Sequence, residues 1–255
     1  MATNEFKKRI SSMLSNKAKD LGFIKKKGIY SIPLNNEIRG TLFFSIYSKY
    51  NHYLVDAVIG VRVESLEQLA LDLNEGRGGF YDKKFAAPSM SIQLGYLMPG
   101  KDYKEWDFYD GVDIQALIDD WGDSIKTYGF AYYRKYNSID AVFEFFLSKT
   151  QDPKFTCSQY YEKYLAMLYY LKGEKEKGLK FLDETIHKYD IAPKEKYLTV
   201  TDHETGEVTK YDIEKLSEEE YWKILRTSVG VTISSSCTDE ISPDYWRFIN
   251  NYRKL

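Results

Sequence analysis

With 255 residues and a mass of 29.9 kDa, the chain is near the upper end of what one hydrophobic core organises, so one large domain or two small ones are expected. Hydrophobic residues make up 43% and charged residues 29%, which excludes a mostly disordered or collagen-like chain. Thirty-six Lys/Arg against 38 Asp/Glu leave a formal charge of −2, without the global basic field of a dedicated nucleic-acid binder.

No apolar run approaches the roughly 18 residues that a membrane span needs, and Met1–Arg9 is too polar to open a signal peptide. Cys157 and Cys237 alone make neither a disulfide framework nor a zinc site. A cytoplasmic setting, with no membrane and no nucleic acid as partner, is the expectation. Aromatic residues reach 16%, with 23 Tyr, a residue whose apolar body and polar tip suit half-buried surfaces and interfaces.

In chain order, Phe6, Ile10, Met13, Leu14, Ala18 and Leu21 recur at helical spacing, and Gly22 ends that helix. The period then changes to two. Ile24–Leu34, Ile38–Ser48 and Tyr53–Val63 are predicted strands, joined by turns at Asn35-Asn36 and Lys49-Tyr50-Asn51. Ser65-Leu66-Glu67-Gln68 fits a capping box opening a short helix. Asn74–Lys84 is a Gly-rich loop, and Pro88–Met98 a further strand.

The second half is predicted mainly helical. Asp113 caps a helix with the stripe Ile114, Leu117, Ile118, Trp121, Ile125 and Tyr128, and Ser138 caps the next. Helices follow at Ser158–Leu171 and Glu174–Lys188, then a hairpin near 197–212 turning at Glu204-Thr205-Gly206. Ser217-Glu218-Glu219-Glu220 is a second capping box, and Ser242-Pro243 starts a last helix carrying Trp246, Ile249 and Tyr252. The expected fold is α+β: an antiparallel sheet with flanking helices over 1–110, then a helical region with one hairpin over 111–255. No Pro/Ser-rich linker separates them, so a shared core is open.

Two stretches resemble known families. Leu165-Ala166 through Ile186, with Tyr169-Tyr170 before Gly173 and Gly178, Leu179, Phe181 and Leu182 after it, resembles one tetratricopeptide-type helix pair. No second copy is visible, so no repeat array is implied. Leu21-Gly22-Phe23-Ile24-Lys25-Lys26-Lys27-Gly28, placed after an amphipathic helix and before aromatic-rich strands, is similar to the start of a broad bacterial family of α+β domains of unknown function. Some of its members are thought to be immunity or accessory proteins beside secreted toxins. The resemblance carries no catalytic residues with it.

No catalytic constellation emerges from the residues. His52, His187 and His203 are scattered with no second ligand at metal spacing, and no cofactor is expected. Cys237 follows Ser234-Ser235-Ser236, a small polar loop that would expose its thiol. Asp119, Asp120 and Asp123 lie opposite an apolar stripe, as a solvated face requires, and Glu37, Arg39, Arg62 and Glu64 are expected to pair across the outside of the sheet. Residues 1–50 hold ten Lys/Arg against three acids, net +7; residues 202–220 hold eight acids against two lysines, net −6.

These features point to a protein-binding factor that needs no chemistry of its own. Tyr197, Glu204, Glu207, Tyr211, Glu214 and Glu218 are its candidate contacts for a basic protein partner. An alternative is an enzyme or binder acting on a phosphate-bearing small molecule, gripped by Arg77, Lys83 and Lys84 at the Gly-rich loop over 74–84. A third reading has the tetratricopeptide-like hairpin docking a peptide in an open groove. The oligomeric state is not legible.

Overall fold

In an antiparallel pair the side chains alternate between the two faces, so one face of a well-packed ribbon is continuously apolar and the other is mixed. Residues 38–63 obey this rule along one unbroken hairpin. The structure, a computed structural model, describes residues 4–26, 28–73, 87–151, 159–191, 197–202, 208–212, 231–234 and 243–255. Within it Ile38 stands opposite Val63, Phe43 opposite Val58, Ile46 opposite Val55 and Lys49 opposite His52, one register throughout. The turn is Tyr50-Asn51, whose φ values of 50 and 65° match the type I′ geometry that suits a twisted two-residue hairpin.

The two long strands expected here are each divided. β3 (Ile38–Phe43) and β6 (Val58–Val63) join a five-stranded antiparallel sheet, in the order β1 (Ile24–Lys26), β2 (Ile29–Pro33), β3, β6, β7 (Met90–Gln93). β4 (Ile46–Lys49) and β5 (His52–Val55) run on past it into a three-stranded sheet completed by β8 (Trp106–Phe108), a strand too short to stand out in the sequence. The kink between them falls at Ser45 and Asp56, where the Asp56 carboxylate accepts the Ser45 N–H at 2.8 Å. The predicted strand 24–34 is likewise a hairpin, because Gly28 at φ 87° reverses the chain. The predicted strand 88–98 gives way after Gln93 to a 3₁₀ turn over Leu94–Leu97, which the Gln93 side chain caps.

The inner face of the ribbon carries Leu42, Tyr53, Val55, Ala57, Ile59, Val61 and Val63, all buried. Helices cover it. α1 (Asn4–Asp20) contributes Ile10, Leu14 and Ala18. A continuous helical run contributes Ile118 and Trp121 from α3 (Ile114–Ser124), Ile125 from a π-helical turn (Ile125–Gly129), and Tyr132 and Tyr133 from α4 (Phe130–Lys135). Glycines allow the close approach. A Cβ at Gly129 would sit 3.1 Å from Ile59, and one at Gly40 would sit 3.0 Å from the Tyr133 ring. The Asp113 and Ser138 caps form as predicted, on Ala116 N and Ala141 N.

α2 (Glu64–Leu73) departs from its expected cap. It starts one residue before Ser65, and its first amides are served from across the sheet: Glu37 O accepts from Glu64 N and the Glu37 carboxylate from Ser65 N. Among the described residues the buried Ser65 hydroxyl has no hydrogen-bond partner. Among the other expected outer charges, Glu64 bridges Arg39 at 2.8 Å and Arg62 at 3.2 Å. The α3 aspartates lie on the open side of the helix as expected, and two of them also reach partners far away in the sequence. Asp119 pairs with Lys17 of α1 at 2.7 Å, and Asp120 accepts the Trp106 indole N–H at 2.7 Å.

The chain divides into two compact units, Met1–Leu147 and Ser148–Leu255. The period change near residue 110 falls short of that division, because α3 and α4 cover the first unit's sheet. α5 (Ile139–Gln151) follows α4 and crosses the division. In the second unit, α6 (Gln159–Leu171) and α7 (Lys175–Ile191) form the predicted helical hairpin, turning at Gly173 with φ 75°. α8 (Pro243–Lys254) begins at the expected proline. Its Tyr252 hydroxyl donates to Ala166 O at 2.9 Å, and a Cβ at Gly178 would collide with that hydroxyl. α8 thus packs against both helices of the hairpin at this point. β9 (Tyr197–Asp202) pairs with β10 (Val208–Asp212) as predicted and, on its other edge, with β11 (Val231–Ser234). Among the described residues no helix is long and apolar enough to cross a membrane.

Candidate interaction surface

The outer face of the kinked hairpin follows directly from the register. Odd positions of the first arm and even positions of the second share it: Phe43, Ser45, Tyr47 and Lys49 opposite Val58, Asp56, Leu54 and His52. β8 extends the row, placing Asp107 beside Leu54. This face is half open to solvent. Phe43 is 47% exposed and Tyr47 37%, and Tyr103 and Tyr109 beside them are 48% and 42% exposed. Large aromatic groups at such exposure lose little entropy on docking and hide much apolar area, the character of an interface core.

Asp56 organises the middle of the face. Besides holding the kink, it accepts the Tyr103 hydroxyl at 3.2 Å. Partial burial first, and then the Asp56 charge and hydrogen bond, hold the Tyr103 phenol above its ordinary value, which favours its neutral, donating form. Gln93 pins the same segment by donating to Lys104 O. Lys104 Nζ lies 5.4 Å from the centre of the Trp106 ring.

At the tip, His52 Nδ1 is 2.9 Å from both Asp107 oxygens, and its ring stacks on Tyr109 at 4.9 Å. The Asp107 carboxylate accepts from the Nδ1–H and so fixes the orientation of the ring. Such a pair orients an imidazole, and among the described residues no hydrogen bond reaches its Nε2. Below the tip, Phe6, Arg9, Met13, Tyr109 and Asp113 help to line an open cleft of about 450 Å³. Among the described residues no group of three or more His, Cys, Asp or Glu converges as a metal site.

Of the residues favoured from the sequence, Tyr197 and Tyr211 lie among the described residues. Tyr197 stands opposite Asp212, and Tyr211 opposite Leu198, on neighbouring strands of the second unit. Glu204, Glu207, Glu214 and Glu218 lie outside the described residues, as do Arg77, Lys83 and Lys84, the second capping box, both cysteines and His203. Phe43, Tyr47, Asp56, Tyr103 and Tyr109 are absent from the set that sequence reasoning favours. The usable signal for the hairpin's share of them is its two-residue turn at Tyr50-Asn51, which fixes the pairing of positions 38–63 and so assigns each side chain to a face. Compared with known proteins, the chain matches no protein-family model, no curated protein and no solved structure.

Proposed function

We propose that this chain is a non-catalytic protein-binding factor whose contact surface is the outer face of the kinked hairpin, and that it works in the cytoplasm as an immunity or accessory protein beside a bacterial toxin. One observation carries the binding reading. Four aromatic side chains, Phe43, Tyr47, Tyr103 and Tyr109, stand between 37% and 48% exposed on and beside a single sheet face, around a pre-ordered Asp56. Apolar area left in water in this way is recovered when a partner covers it. The toxin-related role rests on the resemblance of residues 21–28 and on the lack of any need for chemistry in such a protein. The acidic run over 202–220 offers a second contact suited to a basic surface.

The test is partner capture from the native host with the intact chain, beside a Phe43→Ser/Tyr47→Ser double variant and a control, Lys180→Ala, on the exposed side of α7. The reading expects a stoichiometric partner with the parent and the control, lost with the double variant while its melting temperature holds. Capture that is equal across all three proteins refutes this surface as the contact.

A further inference from the structure

Hydrogen bonding along the hairpin alternates, and the type I′ turn fixes its phase. Lys49 and His52, flanking a two-residue turn, exchange the closing pair of bonds, so on β4 the odd residues bond β5. The Asp56 N–H to Ser45 O bond and, farther down the ribbon, the Glu64 N–H to Glu37 O bond have the same parity. Ile46 and Ser48 therefore point their N–H and C=O groups away from β5. β4 is an edge of its sheet, so among the described residues these groups face no strand.

The adjoining space has a definite length. β2 lies beside β3 with Tyr30 opposite Leu42, which puts the β1–β2 turn at Gly28 opposite Phe44. β2 stops there and β4 continues alone. A second copy of this chain, pairing its own β4 antiparallel about Tyr47, would bring its Tyr50 opposite Phe44, where the Gly28 turn already stands. The slot suits a short extended segment of another chain.

Charge selects the segment. Lys25 and Lys26 of β1 flank the turn that closes the slot, and Lys49 marks its other end. None of the three is ion-paired among the described residues; Lys25 and Lys49 lie over the rings of Tyr30 and Tyr50 at 5.2 and 5.8 Å. From this juxtaposition we infer that the free edge of β4 takes an extended acidic segment of a partner protein as an added strand, main-chain bonds to Ile46 and Ser48 supplying affinity and the three lysines selecting charge. This deepens the binding reading above and rests on it.

Fluorescence anisotropy with labelled octapeptides on the full chain tests it. The probe alternates Glu and Val. Two further probes carry N-methyl groups on alternate residues in the two opposite phases, and a fourth alternates Lys and Val. Saturable binding of the Glu/Val peptide is expected, at least tenfold weaker for one methylated phase and nearly unchanged for the other, and lost for the Lys/Val peptide. Ser48→Pro removes one outward N–H at an edge, where proline is tolerated, and should weaken binding at least tenfold; Lys49→Glu should weaken it at least threefold. The absence of saturable binding, equal behaviour of the two methylated phases, or equal binding of the Lys/Val peptide overturns the inference. The methylated pair leaves the protein untouched, so the test survives a Ser48→Pro variant that fails to fold. Host-partner capture that depends on Phe43 and Tyr47, with no Glu/Val peptide binding, would sink the edge inference and leave the binding reading standing.

Discussion

Replacing Asp56 with alanine should damage the kink on which the candidate surface depends. Two hydrogen bonds are lost: a charge-assisted one from the Ser45 N–H at 2.8 Å, part-buried, and an exposed one from the Tyr103 hydroxyl at 3.2 Å. Bonds to charged groups contribute about 1.5–3 kcal/mol when shielded from water, and exposed neutral donors give less, so Asp56→Ala should cost about 2 kcal/mol. Asp56→Asn keeps an acceptor for Ser45 and should cost about half as much. Urea unfolding followed by tryptophan fluorescence reports on this unit, since Trp106 and Trp121 are both buried in it. A loss below about 0.5 kcal/mol for Asp56→Ala, or equal losses for the two variants, would refute the view that this carboxylate holds the corner.

Other consequences follow from particular contacts. Tyr50 and Asn51 sit at positive φ in a type I′ turn, whose first central position favours asparagine, so Tyr50→Asn should stabilise the first unit by about 0.5–1 kcal/mol in the same assay. Gly178→Ala drives a methyl into the Tyr252 hydroxyl and breaks its bond to Ala166 O, for a loss of about 2 kcal/mol in calorimetry of the second unit's transition. The hydrogen bond from Lys17, and then that from Gln115, hold the Asp119 carboxyl below its ordinary value. Its contribution is present above about pH 4 and is lost as pH falls through the lowered folded value, so Asp119→Asn should flatten the decline of stability below pH 4.

Much of the fold is written in local pattern. The helix N-caps at Asp113 and Ser138, the proline opening α8 and the Gly173 turn are residues whose chemistry suits one position, and each sits there. The misplaced features depend on long-range partners. Ser65 has the right spacing for a capping box, yet Glu37, 28 positions earlier, reaches the same amide across the sheet. Ile38–Ser48 is uniformly β-forming, so nothing in its period marks where one sheet ends; the Asp56 side chain, 11 residues from Ser45, sets that point. Asp119 and Asp120 keep the exposure that a helical wheel suggests, but the wheel contains neither Lys17 nor Trp106, the partners they reach. The candidate surface stayed hidden for the same reason. Its aromatics come from β3, β4 and two later loops, and only the register and the Asp56–Tyr103 bond bring them together.

Hydrogen exchange read by mass spectrometry, on the chain alone and on the complex captured from its host, tests the binding surface most directly. Protection concentrated in residues 43–58 and 103–109 is the predicted result. Protection confined to other segments, with the hairpin exchanging as fast in the complex as in the free chain, would contradict it.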